Sequence, residues 1–235
     1  MSFGADIETE VKRIFREIWA TTKATTVPEP RSIALEKNEA KEIEDGVVLY
    51  ADLSASTNMV QTQTAAFAAE VYRAYLYSAA QIIRDQAGEV TAYDGDRVMA
   101  VFLGDSRNSN AAKCALKINY AVSKIINPAI AAQYPNKTFT VRQVVGIDRS
   151  SLFVARTGVR GDNDLVWVGR AANYAAKLTG ISNDDPSFIT PEVFNRLNEQ
   201  AKYGGNPSQG MWRERKWTQM GDIPIYSSSW HLSLD

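Results

Sequence analysis

Residues 46–57, Gly46-Val-Val-Leu-Tyr-Ala-Asp-Leu-Ser-Ala-Ser-Thr57, leave this chain few ways to fold. The nearly unbroken apolar run 46–53 predicts a central strand, covered on both faces of a sheet. Alternation along the strand puts Tyr50 and Asp52 on one face and Leu49 and Leu53 on the other. An ionised carboxylate is costly to carry into a core, so Asp52 has to leave it at the strand's end. There it serves either as a cap or turn residue beside Ser54 or as a cation ligand. The small, hydroxyl-rich loop Ser54-Ala55-Ser56-Thr57 follows, with a helix-like segment behind it.

Around this strand the pattern alternates between strands and helices. Phe3, Ile7, Val11, Ile14, Phe15, Ile18 and Trp19 recur at helical spacing and predict one amphipathic helix. It is too short to stand alone and must pack on the main domain or on a second subunit. Pro28 and Pro30 end it, and residues 31–45 read as a polar linker, so 1–45 forms an appendage and 46–235 the main domain. A helix over about 61–87 comes next. Residues 89–93 and 97–103 form a hairpin around Tyr93-Asp-Gly-Asp96. A second helix spans about 107–127 and stops before Pro128. Residues 138–148 and 151–157 read as another hairpin, turning at Arg149-Ser150. Glycine and charge fill 158–163, a strand covers 164–168, and Gly169 opens a helix over 170–180. The tail adds a short strand at 188–190, a helix primed by Pro191, a glycine-rich loop near 204–210 and a strand pair from Trp217 onward. The result is an α+β fold with helices packed on a mostly antiparallel sheet.

Composition narrows the chemistry. Lys and Arg total 26 against 27 Asp and Glu, a net charge of −1 that gives no general attraction to nucleic acid or a membrane surface. One cysteine and one histidine, Cys114 and His231, leave no intrachain disulfide framework, Cys-based zinc site or multi-His metal site, and argue against a Ser-His-Asp triad. No apolar run reaches the ~20 residues of a membrane span, and the start lacks a signal-peptide pattern, so a soluble, cytoplasmic protein is expected.

What remains is carboxylate chemistry. Asp96, in Asp-Gly-Asp-Arg, is a second acid at a tight turn before an apolar strand. Two acids delivered from strand ends are what a pair of divalent ions on a triphosphate requires. A third element, Val166-Trp-Val-Gly-Arg-Ala-Ala-Asn-Tyr-Ala-Ala-Lys177, places Arg170, Asn173, Tyr174 and Lys177 on one helix face. Such a face is either solvated or lines a pocket.

Taken together, the three segments resemble the class III nucleotidyl cyclases, over about residues 45–180 and more loosely to 230. The resemblance implies a ferredoxin-like palm fold. It implies metal binding by Asp52, the Leu53 backbone and Asp96, with Asn173 orienting the ribose. Lys177 falls where the family usually has a transition-state arginine. Two Mg²⁺ or Mn²⁺ ions per site are implied, with the loop 54–57 holding the triphosphate. The family builds its sites between two subunits, so a homodimer is implied as well, with the N-terminal helix as a possible clasp.

The base-reading positions depart from the purine cyclases. Where adenylate cyclases carry a lysine and an aspartate, this chain has Ala92 and Val166, which offer no polar contact. Arg170 and Tyr174 form an Arg-x-x-x-Tyr pattern similar to the bacterial pyrimidine cyclases of Pycsar anti-phage systems, which make cyclic UMP or cyclic CMP. Tyr50, Ala92, Trp167 and Tyr174 would narrow the pocket around a single-ring base. Arg170, a pure donor, suits a carbonyl acceptor; uracil has two and cytosine one, which favours UTP over CTP. A separate effector protein would read the product as a second messenger. The competing readings are a cytidylate cyclase and a catalytically inactive nucleotide-binding homologue.

Overall fold

The structure, a computed structural model, describes residues 2–35, 37–159, 162–181 and 185–235. Helix α1 (Phe3–Arg16) leads to strand β1 (Ala20–Lys23) and, after a 3₁₀ turn at Pro30–Ser32, to β2 (Glu39–Leu53). Helices α2 (Ser56–Thr62) and α3 (Ala65–Asp85) precede the hairpin β3 (Gly88–Asp94) and β4 (Arg97–Phe102). Helix α4 (Arg107–Tyr120) runs through a π-helical turn at Ala121–Ile126 into α5 (Asn127–Gln133). Then come β5 (Gln143–Val159), β6 (Asp162–Val168), α6 (Arg170–Leu178), β7 (Ser187–Ile189), α7 (Pro191–Phe194) and α8 (Glu199–Lys202). Strands β8 (Tyr203–Gly204), β9 (Gln209–Gly210), β10 (Arg213–Trp217) and β11 (Ile223–Ser228) close the chain.

One sheet carries the fold, in the order β10-β11-β7-β5-β2-β4-β3, with β1 beside β2 and β6 beside β5. Its pairings are antiparallel except β1 with β2 and β5 with β7. Strand β2 is central, as its apolar run requires. Val47, Leu49 and Ala51 pack under α3 and α4 with Tyr75, Ile83 and Leu116. On the opposite face, Val48 packs with Met99, Ala171 and Ala175 of β4 and α6. Asp52 belongs to this second face, by the same alternation that governs Val48 and Tyr50.

Several boundaries differ from the sequence pattern, each for a local reason. The sheet takes in residues 20–23, which the helical pattern over 1–25 covers, and 39–45, read above as polar linker, because β1 and β2 pair and a bulge between Ile43 and Gly46 keeps β2 in register with β5. The helix expected at 61–87 is two helices. Gln63 and Thr64 are extended, and the Thr64 hydroxyl accepts the Phe67 amide at 3.3 Å as an N-cap. Pro128 does not end the helical run, since it lies in the first turn of α5, where no amide proton is needed. Arg149-Ser150 is no turn: β5 continues through both residues. The Arg149 side chain pairs with Asp45, and the Ser150 hydroxyl accepts the Ala171 amide at 3.0 Å. Of the expected turn 158–163, residues 160 and 161 lie outside the described residues. The final strand pair starts at Arg213, so Trp217 ends a strand instead of opening one.

Helix α1 buries none of its residues, and Phe3, Phe15 and Ile18 are each more than four-fifths exposed. Its end is fixed to the sheet by the Asn38 side-chain amide, which donates to the Ile14 and Glu17 carbonyls. Trp19 sets its ring edge-on to Phe153, 5.2 Å between centroids.

Candidate active site

Antiparallel pairing of β2 with β4 brings the two acids together. Ala51 pairs with Val98, so the end of β2 at Asp52 meets the turn Gly95-Asp96 that opens β4. Gly95 holds φ +61°, the left-handed conformation that the tight turn needs and glycine adopts freely. Asp52 is half-buried, and its carboxyl accepts the Thr179 hydroxyl at 3.5 Å. Burial, and then the charge of Asp96, raises the Asp52 pKa above the usual carboxylate value; Arg97 opposes the rise. The Oδ2 of Asp96 is buried with no hydrogen-bond partner among the described residues. Two carboxylates in this condition fit a divalent cation: a buried orphan oxygen and a crowded charge are both satisfied by metal binding. Among the described residues no third His, Cys, Asp or Glu joins them, so a metal here would draw its other ligands from backbone, substrate and water.

A cleft of about 800 Å³ opens beside Asp52, lined by Leu53, Ser54, Ala55, Arg142, Gln143 and Thr179 among others. Ala55 takes φ +58°, which turns the chain sharply into α2. The Ser54 amide is already spent on the Arg142 carbonyl at 2.9 Å. Ser56 and Thr57 form the first turn of α2.

Helix α6 lies tight against the second face of the sheet. A Cβ at Gly146 would come 2.2 Å from the Ala175 carbonyl oxygen, so glycine is what lets the helix seat there. Ala171, Ala172, Ala175 and Leu178 are buried beneath it, and Thr179, just past its end, reaches Asp52. Seating these residues turns Asn173 and Lys177 outward, and both are exposed. They lie across a helix, ~10 Å in diameter, from the surface that faces the sheet. Among the described residues no hydrogen bond or ion pair joins either to Asp52 or Asp96. Lys177 instead reaches the Met220 sulfur at 3.9 Å.

The residues expected around the base divide into groups. Tyr50, Met99 and Ala92 stand in one row across β2, β4 and β3 on the second face. Trp167, half-buried, packs on the same cluster. Val166 points to the other side of β6 and is 39% exposed. Tyr174 sets its ring edge-on to Trp217 at 5.4 Å. Arg170 is tied within the chain. Its Nε and Nη2 both donate to the buried Asp148 at 3.1 Å, Nη2 also donates to the Arg149 carbonyl at 2.8 Å, and Nη1 donates to Glu192.

The fold of this nine-stranded sheet with its packed helices recurs in solved structures. The fold matches a bacterial light-regulated adenylyl cyclase with a TM-score of 0.69 at 18% identity, over 86% of this chain and 54% of that one. It matches the adenylyl cyclase CyaB of P. aeruginosa with a TM-score of 0.63 at 20% identity, over 81% of this chain and 95% of that one. No protein-family model matches. Two proteins named uridylate cyclase are much nearer in sequence. The one from Burkholderia cepacia is 49% identical over 234 residues, and the one from Xanthomonas perforans 46% over 235, each covering 100% of both chains. The chain belongs to the uridylate cyclases, a nucleotidyl cyclase family of class III fold.

Within this uridylate cyclase family member, three residues near the carboxylates were not singled out from the sequence. Thr179 lies beyond the helix face that was read, and only the seating of α6 reveals it. Tyr75 belongs to the core, yet its hydroxyl is buried with no hydrogen-bond partner among the described residues, and the charges of Asp52 and Asp96 reach it. Arg97 opens the strand expected at 97–103 and was given no role there. Its guanidinium stands 5.4 Å over the Tyr50 ring, beside Asp52. The antiparallel register was the available signal, since it sets Arg97 opposite Asp52.

Proposed function

We propose that the chain converts UTP to 3',5'-cyclic UMP and pyrophosphate. The observation that carries this reading is the meeting of Asp52 and Asp96 at one sheet end, beside the row of Tyr50, Met99 and Ala92 on the same sheet face. The relatives named uridylate cyclase support the choice of base. In the reaction the ribose 3'-oxygen bonds to the α-phosphorus, the bond from that phosphorus to the bridging oxygen breaks, pyrophosphate leaves and the hydroxyl proton passes to solvent. Asp52, the Leu53 carbonyl and Asp96 would hold two Mg²⁺ or Mn²⁺ ions. Such ions supply Lewis acidity toward the 3'-hydroxyl and the phosphates.

The chain's own groups do the remaining work. Tyr50, Ala92 and Trp167, which share one cluster, would bound a space suited to a single-ring base, with Tyr174 reaching it from a second copy, and Ser54–Thr57 would border the triphosphate end. Asn173 orients the ribose, and Lys177 places a compact positive charge on the α-phosphoryl. Because Asn173 and Lys177 face away from their own chain's carboxylates, a second copy has to supply them, which makes the active form a homodimer with two equivalent sites. Its product would act as a second messenger in anti-phage defence, read by a separate effector.

Purified protein incubated with ATP, GTP, CTP or UTP and Mn²⁺ tests the reading directly. Cyclic UMP is the expected main product. Cyclic AMP or cyclic GMP as the main product would overturn the base assignment, and cyclic CMP would move it to cytosine.

A further inference from the structure

Arg170 was the residue expected to read the base, but its donors are committed to Asp148, Glu192 and the Arg149 carbonyl. A different arginine has donors to spare at the right place. Arg97 opens β4 directly after Asp96, and alternation along β4 puts its side chain on the face of Met99, together with Tyr50 and Asp52. Its guanidinium stands over the Tyr50 ring at 5.4 Å, and Nη2 donates to Asp94 at 2.7 Å. That pairing fixes the plane of the group. Its Nε is buried and has no partner among the described residues.

A buried N–H in that state is destabilising unless something accepts from it. The Tyr50 face can attract the cation but takes no N–H in the plane of the guanidinium. Asp94 accepts from Nη2 and not from Nε. What is missing is an acceptor oxygen on the Tyr50 side of the turn, where a single-ring base would lie.

We propose that Arg97 is a specificity-determining residue that donates from Nε to a carbonyl oxygen of the bound pyrimidine, with its plane set by Tyr50 and Asp94. The assignment rests on the pyrimidine cyclase reading and adds to it the group that recognises the base. Arg170 then becomes a positioning residue that holds the start of α6 to β5 and α7.

Calorimetry with Mn²⁺ separates the base from the phosphates, using UTP and inorganic triphosphate as probes on each variant. The wild-type product assay is run alongside. Arg97→Met should weaken UTP binding by about 10- to 100-fold, the range of a charge-assisted hydrogen bond, and leave triphosphate binding within about twofold. Arg97→Lys keeps the charge but not the fixed Nε donor, and should recover less than half of the lost binding free energy. Unchanged UTP binding in Arg97→Met overturns the proposal. An equal loss for both probes overturns it too, since that marks a phosphate contact, and full rescue by lysine would show that only the charge matters. If Arg97→Met unfolds, Arg97→Lys and Arg97→Gln decide by the same comparison of probes. A wild type that makes cyclic UMP while Arg97→Met binds UTP normally sinks this inference and spares the pyrimidine reading.

Discussion

The corner at Asp52 and Asp96 and the outer face of α6 carry the residues proposed above to act together, and the fold treats them oppositely. The corner is assembled inside a single chain by strand register, so its charges crowd one another and its polar atoms are short of partners. The α6 face is held outward by the seating of Gly146 under Ala175, and its polar residues meet solvent. One half crowds two carboxylates at a strand end; the other lies open to solvent. Under the proposed dimer, a site divided in this way would be silent in the monomer and completed by assembly.

The sharpest way to break the comparison is to remove the corner and then supply it from another chain. Asp52→Ala or Asp96→Ala alone should abolish cyclic nucleotide formation while leaving the folded protein intact, as checked by product analysis and circular dichroism. Asn173→Ala should also be inactive, or nearly so. If the halves act across a two-fold axis, co-refolding equal amounts of Asp52→Ala and Asn173→Ala chains yields mixed dimers with one intact site, and about a quarter of wild-type turnover returns. No recovery at all would place both halves in one chain and remove the division.

Gly146 links the two regions, so a substitution there should disturb both. In Gly146→Ala the added Cβ has backbone at 2.2 Å and the Leu178 Cβ at 2.7 Å, neither able to move without shifting α6. Overpacking of this kind costs about 1–3 kcal/mol. The melting temperature should drop by several degrees, and turnover should fall more than metal binding does, because Thr179 moves with α6 while Asp96 stays on its turn. A variant as stable and as active as the wild type would show that the close seating is not needed.

The same contrast explains what the sequence made legible. The corner could be read because strand alternation and an Asp-Gly turn fix side-chain direction from short-range rules, and Asp52 and Asp96 fell where those rules put them. The helix face Arg170-Asn173-Tyr174-Lys177 was read correctly as one face, since period 3.6 is equally local. What those residues touch was not legible. Arg170 is taken by Asp148, a buried acid 22 positions away that no local pattern marked. Arg97 was in plain view inside Asp-Gly-Asp-Arg, but its stack on Tyr50 depends on which strands neighbour each other. The extension of β2 back to Glu39 was hidden for a related reason: partners on both sides, not an apolar run, make residues 39–45 a strand. In β5, Arg149-Ser150 looks like a turn because its two polar side chains serve contacts from other elements.

The smallest effect expected concerns the tension at the corner itself. Asp52 has a pKa raised above its unfolded value, chiefly by burial and next by Asp96. The folded chain therefore holds this proton more tightly than the unfolded one. Stability falls as pH rises from the ordinary aspartate value, ~3.9, through the raised one, and stays lower above it. Asp52→Asn removes that cost, so without metal the variant should melt about 2 °C higher than the wild type at neutral pH, with the gap closing as the pH falls into the acid range. Mn²⁺ should reverse the order, stabilising the wild type and not the variant, because binding the cation requires the carboxylate the variant lacks. Differential scanning calorimetry at several pH values, with chelator and with Mn²⁺, reads both signs. If Asp52→Asn melts lower than the wild type in chelator at neutral pH, then Asp52 stabilises the corner through its Thr179 contact. The corner would then be a settled ion pair with Arg97, as relaxed as the outer face of α6.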